Sequence, residues 1–306
     1  MNKYLALASL SVVSASLFLT GCGGGGGGGA NLKPLIPTST FTSFSAISPP
    51  EEVTAPGIST EADYSATSFA VTSVDDLGVN KTSSAVLTFG SSGSLEKVTI
   101  NTPNSTVTWS AAAGDMIDTS SGLIIALENA ASTDIGIFAD AVGLGWNYQT
   151  FGSWVTGFGS GSGKIGAISS GAPSAASAIP VTGIATFSGL VSGIYVDSAG
   201  EGFSAVGDLT VGADFTSRIL SFTTTNTQKV ALDTAITSTA SNLNMIGALT
   251  YNAGINSFTG SVTATGLTGT ADGQFYGPEA QELGGVFTLR ASSSVETFKG
   301  GFGAAQ

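Results

Sequence analysis

The chain has 306 residues, no His, one Cys, 43 Gly, and 21 Asp plus Glu against nine Lys plus Arg, for a formal net charge of −12. That balance argues against nucleic-acid binding, which needs Lys and Arg on phosphates. The missing imidazoles exclude a Ser-His-Asp triad, a His general base and an HExxH zinc site.

The first 21 residues read as an address. Lys3 gives a positive start, Tyr4 to Phe18 is almost wholly apolar or small, and Leu19-Thr20-Gly21-Cys22 fits a lipobox. Resemblance to bacterial lipoproteins implies cleavage before Cys22, a diacylglycerol (palmitate-type chains) on its thiol and an acylated amine. Several acyl chains anchor where one binds only reversibly, since each buried CH₂ contributes about 0.8 kcal/mol. Gly23, in place of an Asp, favours the outer membrane by analogy with enterobacterial sorting. Residues 22–57 read as a tether: seven glycines follow Cys22, and Pro34, Pro37, Pro49, Pro50 and Pro56 interrupt regular structure. As a coil it reaches about 30–35 Å.

Residues 58–142 form a first β-rich region. Candidate strands are Ser65 to Ser73, Ala85 to Phe89, Leu95 to Ile100, Thr106 to Trp109, Leu123 to Leu127 and Ile135 to Phe138, parted by turn clusters such as Asp75-Asp76-Leu77-Gly78. Residues 143–306 read as a small closed antiparallel barrel of about eight strands. Expected strands are Gly145 to Val155, Lys164 to Ile168, Ile184 to Val196, Phe203 to Phe215, Arg218 to Thr225, Met245 to Tyr251, Ser257 to Gly266, a strand ending at Tyr276, Val286 to Arg290 and Phe298 to Phe302. Along the fourth, Ala205, Gly207, Leu209, Val211, Ala213 and Phe215 face one way, with Asp208, Thr210 and Asp214 opposite. An inward row of Gly and Ala with Leu and Phe suits a barrel filled by side chains. An outward row of Thr, Ser and Asp is not a lipid-facing one. The fold expected is all-β throughout.

Near the C-terminus stand Phe275-Tyr276-Gly277-Pro278, Ala280, Glu282, Gly284, Gly285 and Phe287. This pattern resembles the FYGPxAxExGGxF signature of transferrin-binding-protein-B-like β-barrel surface lipoproteins. Tyr148 through Trp154 and Ala185-Thr186-Phe187-Ser188-Gly189 resemble the family's first barrel strands. Order along the chain then makes 58–142 a handle-like domain ahead of the barrel. The signature itself reads as architecture: its glycines and proline suit a barrel corner, where Glu279 and Glu282 can cap N–H groups.

The resemblance implies an outer-membrane protein facing the exterior, which binds an extracellular protein ligand for iron or haem acquisition. Its implied partners are a TonB-dependent receptor and a surface-lipoprotein translocon. The alternatives are an adhesion or immune-evasion module, or a structural lipoprotein facing the periplasm.

No cofactor and no enzymatic activity are expected. With Cys22 lipidated, thiol nucleophiles and Cys-based metal sites fall. Glu51-Glu52 and Asp75-Asp76 lack the alternating ligands of a calcium loop and read as solvated turn or linker residues. Haem ligation would rest on Met116, Met245 or a Tyr, which disfavours it. Phe41, Phe44, Trp109, Trp146, Tyr148 and Trp154 are contact or core aromatics that sequence alone does not separate.

Overall fold

The computed structural model describes residues 36–306; the signal segment, Cys22 and the glycine run lie outside the described residues. Two sheets account for the fold, antiparallel throughout except where β1 lies parallel to β2. The first contains β1 (Thr38–Thr40), β2 (Glu51–Thr67), β3 (Ala70–Phe89), β4 (Leu95–Asn101), β5 (Thr106–Ser110), β6 (Met116–Asp118), β7 (Ile124–Glu128), β8 (Ile135–Ala139), β9 (Gln149–Val155) and β10 (Ser162–Gly171). The second contains β11 (Ile184–Val196), β12 (Gly202–Asp214), β13 (Ile219–Ala231), β14 (Thr237–Thr239), β15 (Ile246–Tyr251), β16 (Phe258–Ala264), β17 (Leu267–Tyr276), β18 (Glu282–Arg290) and β19 (Thr297–Ala305).

The second sheet is a closed meander. Each long strand pairs with the next, and β19 returns to β11 from Ser188↔Ala305 to Val196↔Thr297. Eight strands complete the ring, with β14 laid beside β13. Closure leaves no free edge in the ring. Period-2 alternation sends Phe187, Phe222, Phe258, Phe275, Phe287, Phe298 and Phe302 inward, where all are at most 1% exposed. Glycines make room for these rings: a Cβ on Gly285 would meet Phe302 at 2.5 Å, and one on Gly300 would meet Phe287 at 2.6 Å. The interior is therefore a packed core.

The first sheet runs β5-β4-β3-β2-β10-β9-β8-β7-β6 and curls until its end strands nearly meet. Between β5 and β6 the chain makes a 3-10 turn, Ala111–Ala113. There the Asp115 carboxylate accepts the Ser110 N–H at 2.9 Å and the Ala130 N–H at 3.0 Å, holding the seam through a side chain. Inside this sheet Trp109, Trp154, Phe138, Val98, Ile100 and Ile168 form their own core.

Four sequence expectations change here. The domain edge read at 143 falls later, because β9 and β10 pair with β8 and β2 of the first sheet. Alternation identifies a strand but not its neighbour. The tether read as 22–57 ends sooner: β1 pairs with β2 from Thr38, and β2 starts at Glu51 with Pro56 inside it. The strand read as Ser65 to Ser73 is a hairpin tip instead, with Ser68 at φ 57° and two long strands on either side. Asp75-Asp76-Leu77-Gly78 is no loop. It lies within β3, where register shifts against β2 absorb the extra residues and Gly78 sits at φ 77°.

Candidate functional site

The two sheets pack face to face, and the FYGPxAxExGGxF residues fasten them. Phe275 is fully buried among Phe187, Phe215, Tyr251 and Phe258, with ring centroids 5.4–6.2 Å apart. Tyr276, next along the strand, points the other way and meets Ser169 of β10 through its hydroxyl at 2.9 Å. Burial pushes that phenol up to about 12. Gly277 turns the chain at φ 87°, and its N–H donates to the Ala172 carbonyl at 2.9 Å. Pro278 is exposed at the corner and Ala280 is buried. The Glu282 carboxylate accepts the N–H groups of Asn147 at 2.6 Å and Tyr148 at 3.0 Å, where the chain enters β9. Burial raises its pKa while those donors oppose the rise.

Gly284 and Gly285 were read as corner residues, yet both lie within β18. Their value is size. A Cβ on Gly284 would meet Ser169 Oγ at 2.6 Å and Gln149 Oε1 at 2.8 Å across the interface, whereas Gly285 faces inward beneath Phe302. Phe287 joins the barrel core against Phe298 at 4.8 Å. Glu282 caps as expected; Glu279 is exposed, and it is its backbone N–H that donates, to Gln281 Oε1.

A contact invisible in the sequence crosses the same interface. Lys299 of β19 is wholly buried, and its ammonium donates to Thr60 at 2.7 Å, Thr288 at 2.7 Å and Asp76 at 2.9 Å. Burial lowers the Lys299 pKa, which Asp76 opposes. The Lys299 charge and hydrogen bond hold the Asp76 carboxyl below its ordinary range against its own desolvation. Arg290 adds a hydrogen bond to the Val74 carbonyl. Asp76, read as a solvated turn residue, is thus an ion-pair partner across 223 residues.

These contacts give the molecule two ends. The described chain begins beside Glu52, since β1 lies along the first residues of β2. The FYGP corner sits at this same end, and β2 carries the chain away over its 17 residues. At about 3.3 Å per residue that is roughly 55 Å. At the far end a groove of about 610 Å³ opens between Asp63, Tyr64, Lys164 and Thr156 on one side and Ser105 to Thr108 on the other. The buried Glu61 carboxylate anchors the second wall by accepting from Thr102 at 2.6 Å, Asn104 at 3.1 Å and Ser105. Asp63, Asp134 and the Lys164 ion pair leave the groove net negative. Beside it Phe69, at the hairpin tip, is 54% exposed and stacks on Phe158 at 5.3 Å. The aromatics left open by sequence are mostly core: Phe41, Trp109, Trp146 and Trp154 are all buried, and Phe44 and Tyr148 are half-buried. Phe69 was passed over because its exposure comes from a turn the strand pattern concealed.

Among the described residues no group of three His, Cys, Asp or Glu side chains is placed to hold a metal ion. Met245 is fully buried in the barrel core.

Residues 179–306 match the family described as C-lobe and N-lobe beta barrels of Tf-binding protein B. The closing barrel is therefore transferrin-binding-protein-B-like, as the signature implied. Among solved structures, the chain is similar to a transferrin binding protein B mutant from Haemophilus parasuis Hp5, at 16% identity and TM-score 0.42, covering 73% of this chain and 51% of that one. It is also similar to isotype 1 transferrin binding protein B from serogroup B Neisseria meningitidis, at 15% and 0.40, covering 80% and 58%. A structure described as a surface lipoprotein matches at 13% and 0.43, covering 82% and 98%. The chain spans about half the length of the first transferrin-binding structures it matches. No curated protein matches it.

Proposed function

We propose that this protein is a lipid-anchored outer-membrane protein that faces the exterior and captures an extracellular protein with the end opposite its tether. The observation that carries this reading is the match of residues 179–306 to the barrels of Tf-binding protein B. The signal is residues 1–21, Cys22 carries the lipid, and the tether ends by Pro37, just before β1 begins at Thr38. Two barrel-like sheets locked by the Glu282 and Lys299 contacts present one rigid surface. The acidic groove and the exposed Phe69 suit a basic, partly apolar protein face: aromatic anchors supply binding energy and opposite charge speeds encounter. The cargo is iron or haem carried by that protein, passed to a TonB-dependent receptor; a surface-lipoprotein translocon delivers the chain. The role is binding, not catalysis.

The test immobilises the full chain through its N-terminus and presents transferrin, haemoglobin and free haem at low and high ionic strength. Saturable capture of a carrier protein that weakens with salt is the expected result. Failure to bind either carrier, or binding of haem alone, contradicts the proposal.

A further inference from the structure

The first sheet has a second opening, at the tether end, and it differs in kind from the far groove. A cavity of about 210 Å³ enters the sheet between Leu87 and Phe89 of β3, Leu95 and Val98 of β4, Ile125 of β7 and Phe138 of β8. Phe44 forms one side of its mouth, held by its N–H to the Asn147 carbonyl at 2.8 Å and by Phe41, ring to ring at 4.9 Å. Of the four polar side chains on the wall, Thr119 is exposed and the other three have partners elsewhere. Thr150 donates its hydroxyl to the Ala139 carbonyl at 2.9 Å, Ser94 pairs with Ser92 at 2.8 Å, and Asp140 accepts the Gly143 N–H at 3.1 Å. Water inside would find few partners. An apolar cavity of about 150 Å³ stays dry and takes up benzene, and this one is larger. Its natural occupant is apolar, and narrow enough to enter between strands.

The chain itself supplies such an occupant. The described segment starts at this end, with the Pro37 carbonyl accepting the Glu52 N–H at 2.8 Å. Glu52 pairs with Thr88, between the cavity-lining Leu87 and Phe89. At about 4.8 Å per strand spacing, β1 lies roughly 10 Å from β3. Cys22 precedes Ile36 by 14 positions, most of them from the glycine run onward. The sequence reading of this stretch as a coil gives it an r.m.s. reach of about 20 Å. The lipid on Cys22 therefore falls within range of the mouth.

We propose that the cavity takes a single saturated alkyl chain, and that the chain is one of those on the protein's own Cys22, sheltered whenever the anchor is out of a bilayer. The inference rests on the lipidation reading given above. In it Phe44 is the gate, and the apolar cavity is a resting place for the anchor during transfer between membranes. The remaining acyl chains need another shield, since the cavity holds part of one chain only.

The test uses the chain in two forms, natural and Cys22→Ser produced without leader residues 2–21, with a dansyl-labelled dodecanoic acid as probe and intact mass spectrometry of the natural form. The Cys22→Ser protein should bind the probe saturably at one site, and Leu95→Trp, which fills the cavity from a half-buried position, should weaken binding at least tenfold. Val142→Glu, at an exposed rim position, gives a second block that leaves the core untouched. The natural protein, freed of detergent, should bind the probe at least tenfold more weakly than Cys22→Ser. Adding phosphatidylethanolamine–phosphatidylglycerol vesicles should then restore probe binding as the anchor leaves. Absence of probe binding by Cys22→Ser overturns the cavity's role. Equal binding by both forms, with a lipid mass on Cys22, overturns the anchor as occupant. A natural form with no lipid mass overturns the lipidation reading instead, and the Cys22→Ser titration still reports on the cavity.

Discussion

The two sheets are built from the same alternating, glycine-rich strands and yet end as different objects. The second closes fully, and its interior is filled by phenylalanines seated over glycines. The first stops short of closure, leaving a seam held by Asp115 and an opening at either end, one polar of about 610 Å³ and one apolar of about 210 Å³. A closed ring has no free hydrogen-bonding edge and suits a rigid support. An unclosed sheet has edges and mouths, and its loops carry the surfaces on which binding depends. On the proposed function, the second sheet supports and the first one binds.

This division can be broken at the support. Phe275 touches four other rings in the barrel core, so Phe275→Ala should cost about 4 kcal/mol of stability, read as a shift in the denaturant midpoint. A loss under about 1 kcal/mol would mean the barrel core is not the foundation. The interface comes next. Asp76→Asn leaves the fully buried Lys299 ammonium uncompensated and should cost about 3 kcal/mol. Lys299→Met leaves a carboxylate one-third exposed to water and should cost about 1 kcal/mol. Equal losses would show that the pair, rather than the buried cation, sets the cost. Gln149 is buried between Gly284 and Gly303, and its amide has no partner among the described residues. Gln149→Leu should therefore stabilise by about 1 kcal/mol in thermal unfolding, unless an ordered water already satisfies the amide.

The smallest effect concerns pH. The Glu282 pKa is raised above its ordinary 4.5, with burial the leading cause. Between 4.5 and that raised value the folded state holds more protons than the unfolded one. The contribution of Glu282 is therefore complete below pH 4.5 and lost as pH rises through the folded pKa. Relative to Glu282→Gln, the natural protein should lose its advantage as pH rises above 4.5 in denaturant titrations. A growing advantage would mean that the Asn147 and Tyr148 donors outweigh burial.

Much of the second sheet was legible because period-2 alternation and a filled inward row are local properties. Ala205 to Phe215 needed no partner to declare a face, and the closing strand at Phe298 was visible in the same way. What alternation does not carry is adjacency. Gln149 to Val155 looks the same whether it pairs with β8 or with a barrel strand, so the domain edge was misplaced. The Lys299–Asp76 pair joins positions that no spacing rule connects. Gly284 and Gly285 were seen as turn formers, since a sequence does not show which neighbour needs the missing Cβ. The hairpin tip at Ser68-Phe69 was hidden because its residues continue the apolar-polar rhythm across the turn, and with it went the most exposed aromatic at the far end.

The central claim is that the far end of the first sheet captures protein while the barrel only supports it. The most direct measurement compares carrier-protein capture by the N-terminally immobilised chain with capture by Phe69→Ala combined with Asp63→Lys, which removes the aromatic and reverses the groove's charge, and by Ile184→Asp at an exposed position on the opposite end of the barrel. The account predicts at least a tenfold loss for the far-end variant, none for Ile184→Asp, and unchanged melting temperatures for both. Full capture by the far-end variant, with loss at Ile184, would place the binding surface at the tether end and contradict the account.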